Sequence, residues 1–243
     1  MSVSSAVSSL APAFLISMPQ LVDPNFARTV VLLCKHGEDG AFGLVVNRPM
    51  TSGRLVLDMG ALIAATSSQS ESGSQSESGS RSESGPEAAG GRPTPGAARG
   101  HRDVQIWIGG PVEPESSRIL VATSSRPGPE SQTGGGGASA PRALEAEDGF
   151  GGERIAEGLY LSASLVVLRR LLEADPPPRA RLIAGYSGWG PGQLEAELHA
   201  SAWLIGEVDA DLIFETSPDL MWEAAIRRMG ADPAALQISK GVH

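Results

Sequence analysis

The chain has a single cysteine, Cys34, in 243 residues, so no internal disulfide framework can hold it together, and a lone thiol fits a reducing compartment. Positive charge is also scarce. Nineteen Lys and Arg stand against 28 Asp and Glu, for a formal net charge of -9 and a pI of about 5.0. Binding a phosphate backbone relies on clustered cations that release counterions, and no basic stripe is present, so direct DNA binding is disfavoured. Long apolar runs are missing as well. The opening "MSVSSAVSSLAPAFLISMP" lacks a basic n-region and falls short of the roughly 18 apolar residues of a spanning helix, so no membrane role and a cytoplasmic setting are expected.

What is present divides into apolar blocks and polar inserts. A Ser/Gly/Glu-rich stretch at about 65–102 contains the hexads "QSESGS", "QSESGS" and "RSESGP", and a Gly/Pro/Ser-rich stretch occupies about 125–152. Both carry too few apolar groups to offset the entropy of ordering them, so both are expected to be disordered inserts within one domain spanning 11–243, after a flexible N-terminus at 1–10.

The blocks have recognisable punctuation. "TVVLLCKH" (29–36) and "FGLVVN" (42–47) are β-branched and apolar, which predicts a hairpin buried on both faces, with "GEDG" as a loop of more than two residues. "GRLVLDMGALIAA" predicts one or two helical turns, and "VQIWIGGPVEPESSRILVAT" a strand, a Gly-Pro turn and a second strand. "EGLYLS" predicts a strand, with Ser162 capping the helix "ASLVVLRRLLEA" that the prolines at 176–178 terminate. "RARLIAGYSGW" predicts a strand running into a glycine loop, "PGQLEAELHASAW" a helix and "DLIFE" a short strand. Ser217, Pro218 and Gly230 predict the ends of a helix over "DLMWEAAIRRM", and Asp232-Pro233 a final turn. A hairpin followed by helices favours an α+β fold.

Four blocks together, "LISMPQLVDPNFARTVVLLCKHGEDGAFGLVVNRPM", "WIGGPVEP", "GYSGWGPGQLEAEL" and "LIFETSPDLMWEAAIRRMG", resemble in order the signature blocks of the YqgE/AlgH family of bacterial proteins. The resemblance implies a single α+β domain with a branched, partly barrel-like mixed β-sheet flanked by helices. It brings no agreed reaction: members are labelled uncharacterised, or regulators of transcription.

Candidate chemistry centres on "GYSGWGPGQLEAEL", where Gly188, Trp189, Gly190, Gly192 and Gln193 precede a helix start. Backbone N–H groups there could face an anion, yet the spacing matches neither dinucleotide nor P-loop signature, and the alternative is a tight turn with Trp189 packed on the core. Ser187 lacks the final glycine of a hydrolase elbow. Glu195 and His199, four apart, have metal-compatible spacing without a third ligand, so no metal site or cofactor is assigned. Gly109 and Gly110 at a strand end, with Asn47 and Arg48 after the hairpin, could line one cleft with the tryptophan turn and bind a protein or small-molecule partner. Cys34 and His36, two apart in a strand, would share a face and give a thiol-based enzyme or redox switch as the alternative.

Overall fold

The computed structural model describes residues 9–58, 101–123, 152–173 and 179–238. They form one α+β unit around a curled, half-barrel sheet: β1 (Ala13–Ser17), β2 (Val30–Gly37), β3 (Gly40–Val45), β4 (Pro49–Asp58), β5 (His101–Ile108), β6 (Val112–Ala122), β7 (Glu153–Ala156), β8 (Leu159–Ser162), β9 (Ala180–Trp189) and β10 (Trp203–Gly206). Five helices among the described residues accompany it: α1 (Leu165–Glu173), α2 (Gln193–His199), α3 (Ala210–Glu215), α4 (Pro218–Arg228) and α5 (Pro233–Ile238). The inserts lie almost wholly outside the described residues; at their margins His101 and Arg102 already belong to β5.

The main path runs β10-β1-β2-β3-β9-β6-β8-β7, and β9 is the branch point. One edge of β9 carries β6 in antiparallel register. Its other edge is shared: Leu182–Ala184 pair in parallel with β5, and Ser187–Trp189 pair antiparallel with β3. Gly185, with φ of 70°, sits between the two halves. At this junction the backbones touch, so a Cβ on Gly110 would lie 2.3 Å from the Tyr186 carbonyl and one on Gly185 2.7 Å from the Gly110 oxygen. Only glycine leaves room for that approach.

The central hairpin is buried on both faces. Val30 and Leu32 join a core with Phe14, Ile16, Met221 and Trp222, whereas Val31 and Leu33 join a second cluster with Leu15, Trp189, Leu194 and Trp203. Burial on both sides removes the polar-apolar alternation, which is why the run reads as continuously apolar. The connecting loop is shorter than the sequence suggests: Gly37 pairs with Gly40, leaving only Glu38 and Asp39 outside the ladder.

Other elements differ from expectation for identifiable reasons. Residues 53–58 belong to strand β4, because they find β5 as a partner through the register Arg54–Gln105 to Asp58–His101; residues 59–65 lie outside the described set. "DLIFE" is helical as α3, since Asp209 accepts from the N–H groups of Asp211 and Leu212 and so caps a helix start. The strand of that region comes earlier, as β10 pairs with β1 and takes Trp203 out of the predicted helix. Helix α1 is capped by Ser164 rather than Ser162: the Ser164 Oγ accepts from Val166 N–H and its carbonyl from Leu168 N–H, while Ser162 closes β8. The ends of α4 and the turn at Asp232 follow the sequence pattern, with Pro218 in the first turn, Gly230 at φ of 78° and Asp232 accepting from Ala234 N–H.

Candidate functional site

The stretch Gly185–Trp189 is strand and only Gly190–Gly192 is turn. Trp189 is 6% exposed and packs with Phe26 and Trp203 in an aromatic triad with centroid separations of 5.5 to 6.2 Å. Its indole Nε1 donates to Glu197 Oε2 at 2.9 Å, and the Trp203 indole donates to the same oxygen at 2.7 Å. The other carboxylate oxygen accepts from Gln193 Nε2 at 3.0 Å, and Gln193 Oε1 accepts in turn from Gly190 N–H at 3.1 Å. Gly192 supplies the left-handed residue at the helix start, with φ of 72°. The Gly190 N–H, the Gln193 N–H and both ends of the Gln193 amide have partners within the turn or on α2.

Sequence reasoning found Trp189 and Gln193 and missed Glu197, the centre of the network. Its signal was the spacing of Gln193 and Glu197, four apart and therefore neighbours on one helical face.

Cys34 and His36 do not share a face. The ladder between β2 and β3 jumps from Leu33–Gly43 to Lys35–Phe42, leaving Cys34 as the extra residue of a β-bulge. Beyond the bulge the alternation is inverted. Cys34 packs against the first core cluster, while His36 is buried on the opposite side beneath α2. There His36 Nδ1 accepts from Leu10 N–H at 3.2 Å, and since a backbone amide can only donate, the ring proton is on Nε2, which donates to Glu195 Oε1 at 2.9 Å. Both nitrogens are engaged, so the ring is not a base for the thiol. Burial, reinforced by Glu153, pushes the Cys34 thiol up to about 12. A thiol held there is almost wholly protonated at neutral pH.

The same geometry accounts for neighbouring residues. Ser9, within the stretch expected to be flexible, donates to the His36 carbonyl at 3.1 Å, so the described part of that segment is tied to β2. Glu195 is engaged with His36 instead of forming a pair with His199, and no group of three or more metal-ligating side chains occurs among the described residues.

Asn47 and Arg48 pin the loop before β2. Asn47 Oδ1 accepts from Val30 N–H and its Nδ2 donates to the Arg28 carbonyl, while Arg48 donates to the carbonyls of Pro24 and Ala27. Arg48 meets the glycine pair through the backbone, its carbonyl accepting from Ile108 N–H, and Gly109 O accepts from both Val45 N–H and Ser187 Oγ. The strand ends that carry these residues do converge, but backbone fills the space where they meet.

A buried cation reinforces the same region. Arg181 is buried, donates to the carbonyls of Val46 and Ile213, and lies 3.6 Å from the Trp107 ring centroid. Desolvation lowers its guanidinium to about 10. It links β9 to the end of β3 and to α3 without a carboxylate partner among the described residues.

Open space lies elsewhere. A cleft of about 880 Å³ runs along the seam where β10 and the β7–β8 turn, from opposite ends of the sheet path, approach each other. Phe14, Ile16, Val208, Leu212 and Ala225 form much of its apolar wall, Ile205 and Met229 are 43% and 39% exposed, and Gly206 leaves the floor clear above Ile16 and Met229. Asp209 is neutralised by Arg228, but Glu157 and Glu207 have no ion-pair partner among the described residues. An apolar wall with two unmatched carboxylates can receive a ligand that is both apolar and cationic. None of the sequence-predicted site residues lines it.

No helix among the described residues is long and apolar enough to cross a membrane. The chain matches the AlgH-like family over residues 14–234. It is 32% identical to a UPF0301 protein of Myxococcus xanthus, covering 98% of this chain and 100% of that one, and 33% identical to a UPF0301 protein of Ruegeria pomeroyi, covering 96% and 98%. Among solved structures it is similar to the AlgH protein from Pseudomonas aeruginosa, with a TM-score of 0.52 and 28% identity over 100% of this chain and 98% of that one. A Corynebacterium diphtheriae protein, at 17% identity and a TM-score of 0.53 over 96% and 92%, shares the fold. Matching the family model from the first strand to the last helix, and aligned over nearly their whole length with these relatives, the chain belongs to the AlgH-like family.

Proposed function

We propose that this AlgH-like chain is a non-enzymatic binding protein, that its partner docks in the cleft at the sheet seam, and that any effect on transcription is indirect. The observation that carries the reading is the contrast in satisfaction. The polar side chains around Trp189 and His36 are bonded to one another, whereas the cleft combines exposed Ile205 and Met229 with the carboxylates of Glu157 and Glu207, which have no ion-pair partner among the described residues. Buried polar groups in a fold are normally paired, and an apolar patch bordered by unpaired charge marks a surface built for contact. The net charge of -9 directs the choice of partner away from DNA. A reducing cytoplasmic setting belongs to the same proposal, in keeping with one thiol.

Capture from native bacterial lysate tests it. Wild-type protein, a cleft variant (Ile205→Glu with Met229→Glu) and Gln193→Ala are immobilised in parallel. Retention of the same partner by wild type and Gln193→Ala, with loss in the cleft variant, is expected. Capture that survives in the cleft variant and disappears in Gln193→Ala would move the site to the tryptophan turn.

A further inference from the structure

Resting on the cleft reading, we infer that the occupant is an extended, basic segment of a partner protein, alternating cationic and apolar residues, which adds as a strand beside β10. Three independent features of the cleft converge on this chemistry.

The first is the edge itself. Among the described strands β10 pairs with β1 alone and ends the sheet path. Met18 N–H donates to the Ala202 carbonyl, in register with the β1–β10 ladder, so by the two-residue alternation of an antiparallel pair Leu204 and Gly206 turn their backbone groups towards β1. Trp203 and Ile205 therefore turn theirs outward, to an edge that no described strand covers. Unpaired edge groups are a template for an added strand, which supplies affinity through main-chain hydrogen bonds irrespective of its side chains.

The second is selectivity. Ile205 belongs both to this edge and to the lining of the cleft, and Glu207 follows β10 directly. A strand laid along β10 would bring alternate side chains to the apolar lining and to the carboxylates of Glu207 and, across the seam, Glu157. Since Arg228 is already paired with Asp209, no free cation among the described residues lines the cleft to attract an acidic segment. The third is that no described segment of the chain takes this edge: α3 and α4 contribute Ala210, Leu212, Ala225, Arg228 and Met229 to the cleft wall, while the outward amides of β10 have no acceptor among the described residues.

The probe is a fluorophore-labelled, end-blocked hexapeptide of alternating Lys and Val, titrated into the full-length protein by fluorescence anisotropy. Binding is expected for it and not for the Glu–Val counterpart. A Lys–Val hexapeptide N-methylated at alternate residues keeps charge and apolar side chains but cannot pair as a strand on its methylated edge, and whichever of the two methylation registers faces β10 should weaken binding about tenfold, the loss expected for removing about 1.4 kcal/mol of edge hydrogen bonding. Glu157→Gln and Glu207→Gln should each weaken it about threefold, an effect that fades with added salt, as exposed ion pairs do. Equal binding of both methylated registers and the parent, equal binding of the Lys–Val and Glu–Val peptides, or displacement of the probe by hexylamine at matched concentration would overturn the strand proposal. If the probe fails while lysate capture still depends on Ile205 and Met229, the peptide chemistry is wrong and the cleft stands; if capture ignores the cleft, the underlying reading is wrong.

Discussion

The two faces of the sheet around β1 and β2 solve the same problem differently. On the face under α2, Glu197 accepts from two indoles and an amide, and His36 uses both ring nitrogens. At the cleft, Ile205 and Met229 stay exposed, and Glu157 and Glu207 have no ion-pair partner among the described residues. The first face contains the glycines and tryptophan that catch the eye in the sequence, and its chemistry is directed inward. The second has an ordinary sequence and presents its chemistry to solvent. A conspicuous motif is therefore a poor guide here to where polar and apolar groups are left open to solvent; the state of its hydrogen bonds is a better one.

The comparison can be broken by mutation, starting with the largest effect. Trp189→Ala removes a buried indole from the aromatic triad and should destabilise the fold by about 3–5 kcal/mol in urea denaturation. A neutral result would mean that the α2 face is a surface device. Glu197→Ala comes next, at about 3 kcal/mol, because it leaves two indole N–H groups without their charged acceptor. Glu197→Gln should cost about 1 kcal/mol, since its carbonyl can replace the single oxygen that both indoles share. If the Ala and Gln variants are equally unstable, charge rather than acceptor geometry holds the network.

Smaller effects come from titration. The Cys34 thiol is raised from 9.0 to about 12, so the folded state retains a proton that the unfolded chain loses. Stability from this group is full below pH 9 and declines as pH rises towards 12. Cys34→Ser should flatten that alkaline decline, and iodoacetamide should label the native thiol slowly at pH 8 and rapidly after denaturation. Glu195 lies on the opposite limb. Its own backbone N–H and then His36 hold its carboxyl below the ordinary 4.5, so its contribution is present above that value and is lost as pH falls through the depressed one. Glu195→Gln should flatten the acid limb without shifting the alkaline one. Smallest of all, Ile205→Ser and Met229→Ser should change stability by less than about 0.5 kcal/mol, as exposed positions generally do.

Much of the core was legible because it depends on local pattern. The apolar run Val30–Leu33 announced a doubly covered strand, and Ser217-Pro218 with Gly230 marked both ends of α4. Failures occurred where a distant partner decided the outcome. Residues 53–58 became strand by finding β5, and Trp203 left a helix by finding β1. The bulge at Cys34 had no signature in "LLCKH", yet it inverted every side chain beyond it and separated the thiol from the imidazole. The tryptophan turn was legible as packing, but its carboxylate hub was not. The cleft was invisible, because Glu157 of the β7–β8 turn, Ile205 and Glu207 at the end of β10, and Met229 after α4 are brought together only by the curl of the sheet.

The division between an inward face and an outward one is tested most directly by titrating the Lys–Val hexapeptide into ¹⁵N-labelled protein and following amide and indole resonances in one spectrum. The structure predicts shifts at the Trp203 amide, Ile205–Asp209, Met229 and Glu157, with the Trp189 indole signal and the Gly190–Gln193 amides unmoved. Shifts centred on the two indoles and the Gly190–Gln193 amides, with the cleft silent, would contradict it and restore the glycine turn as the binding site.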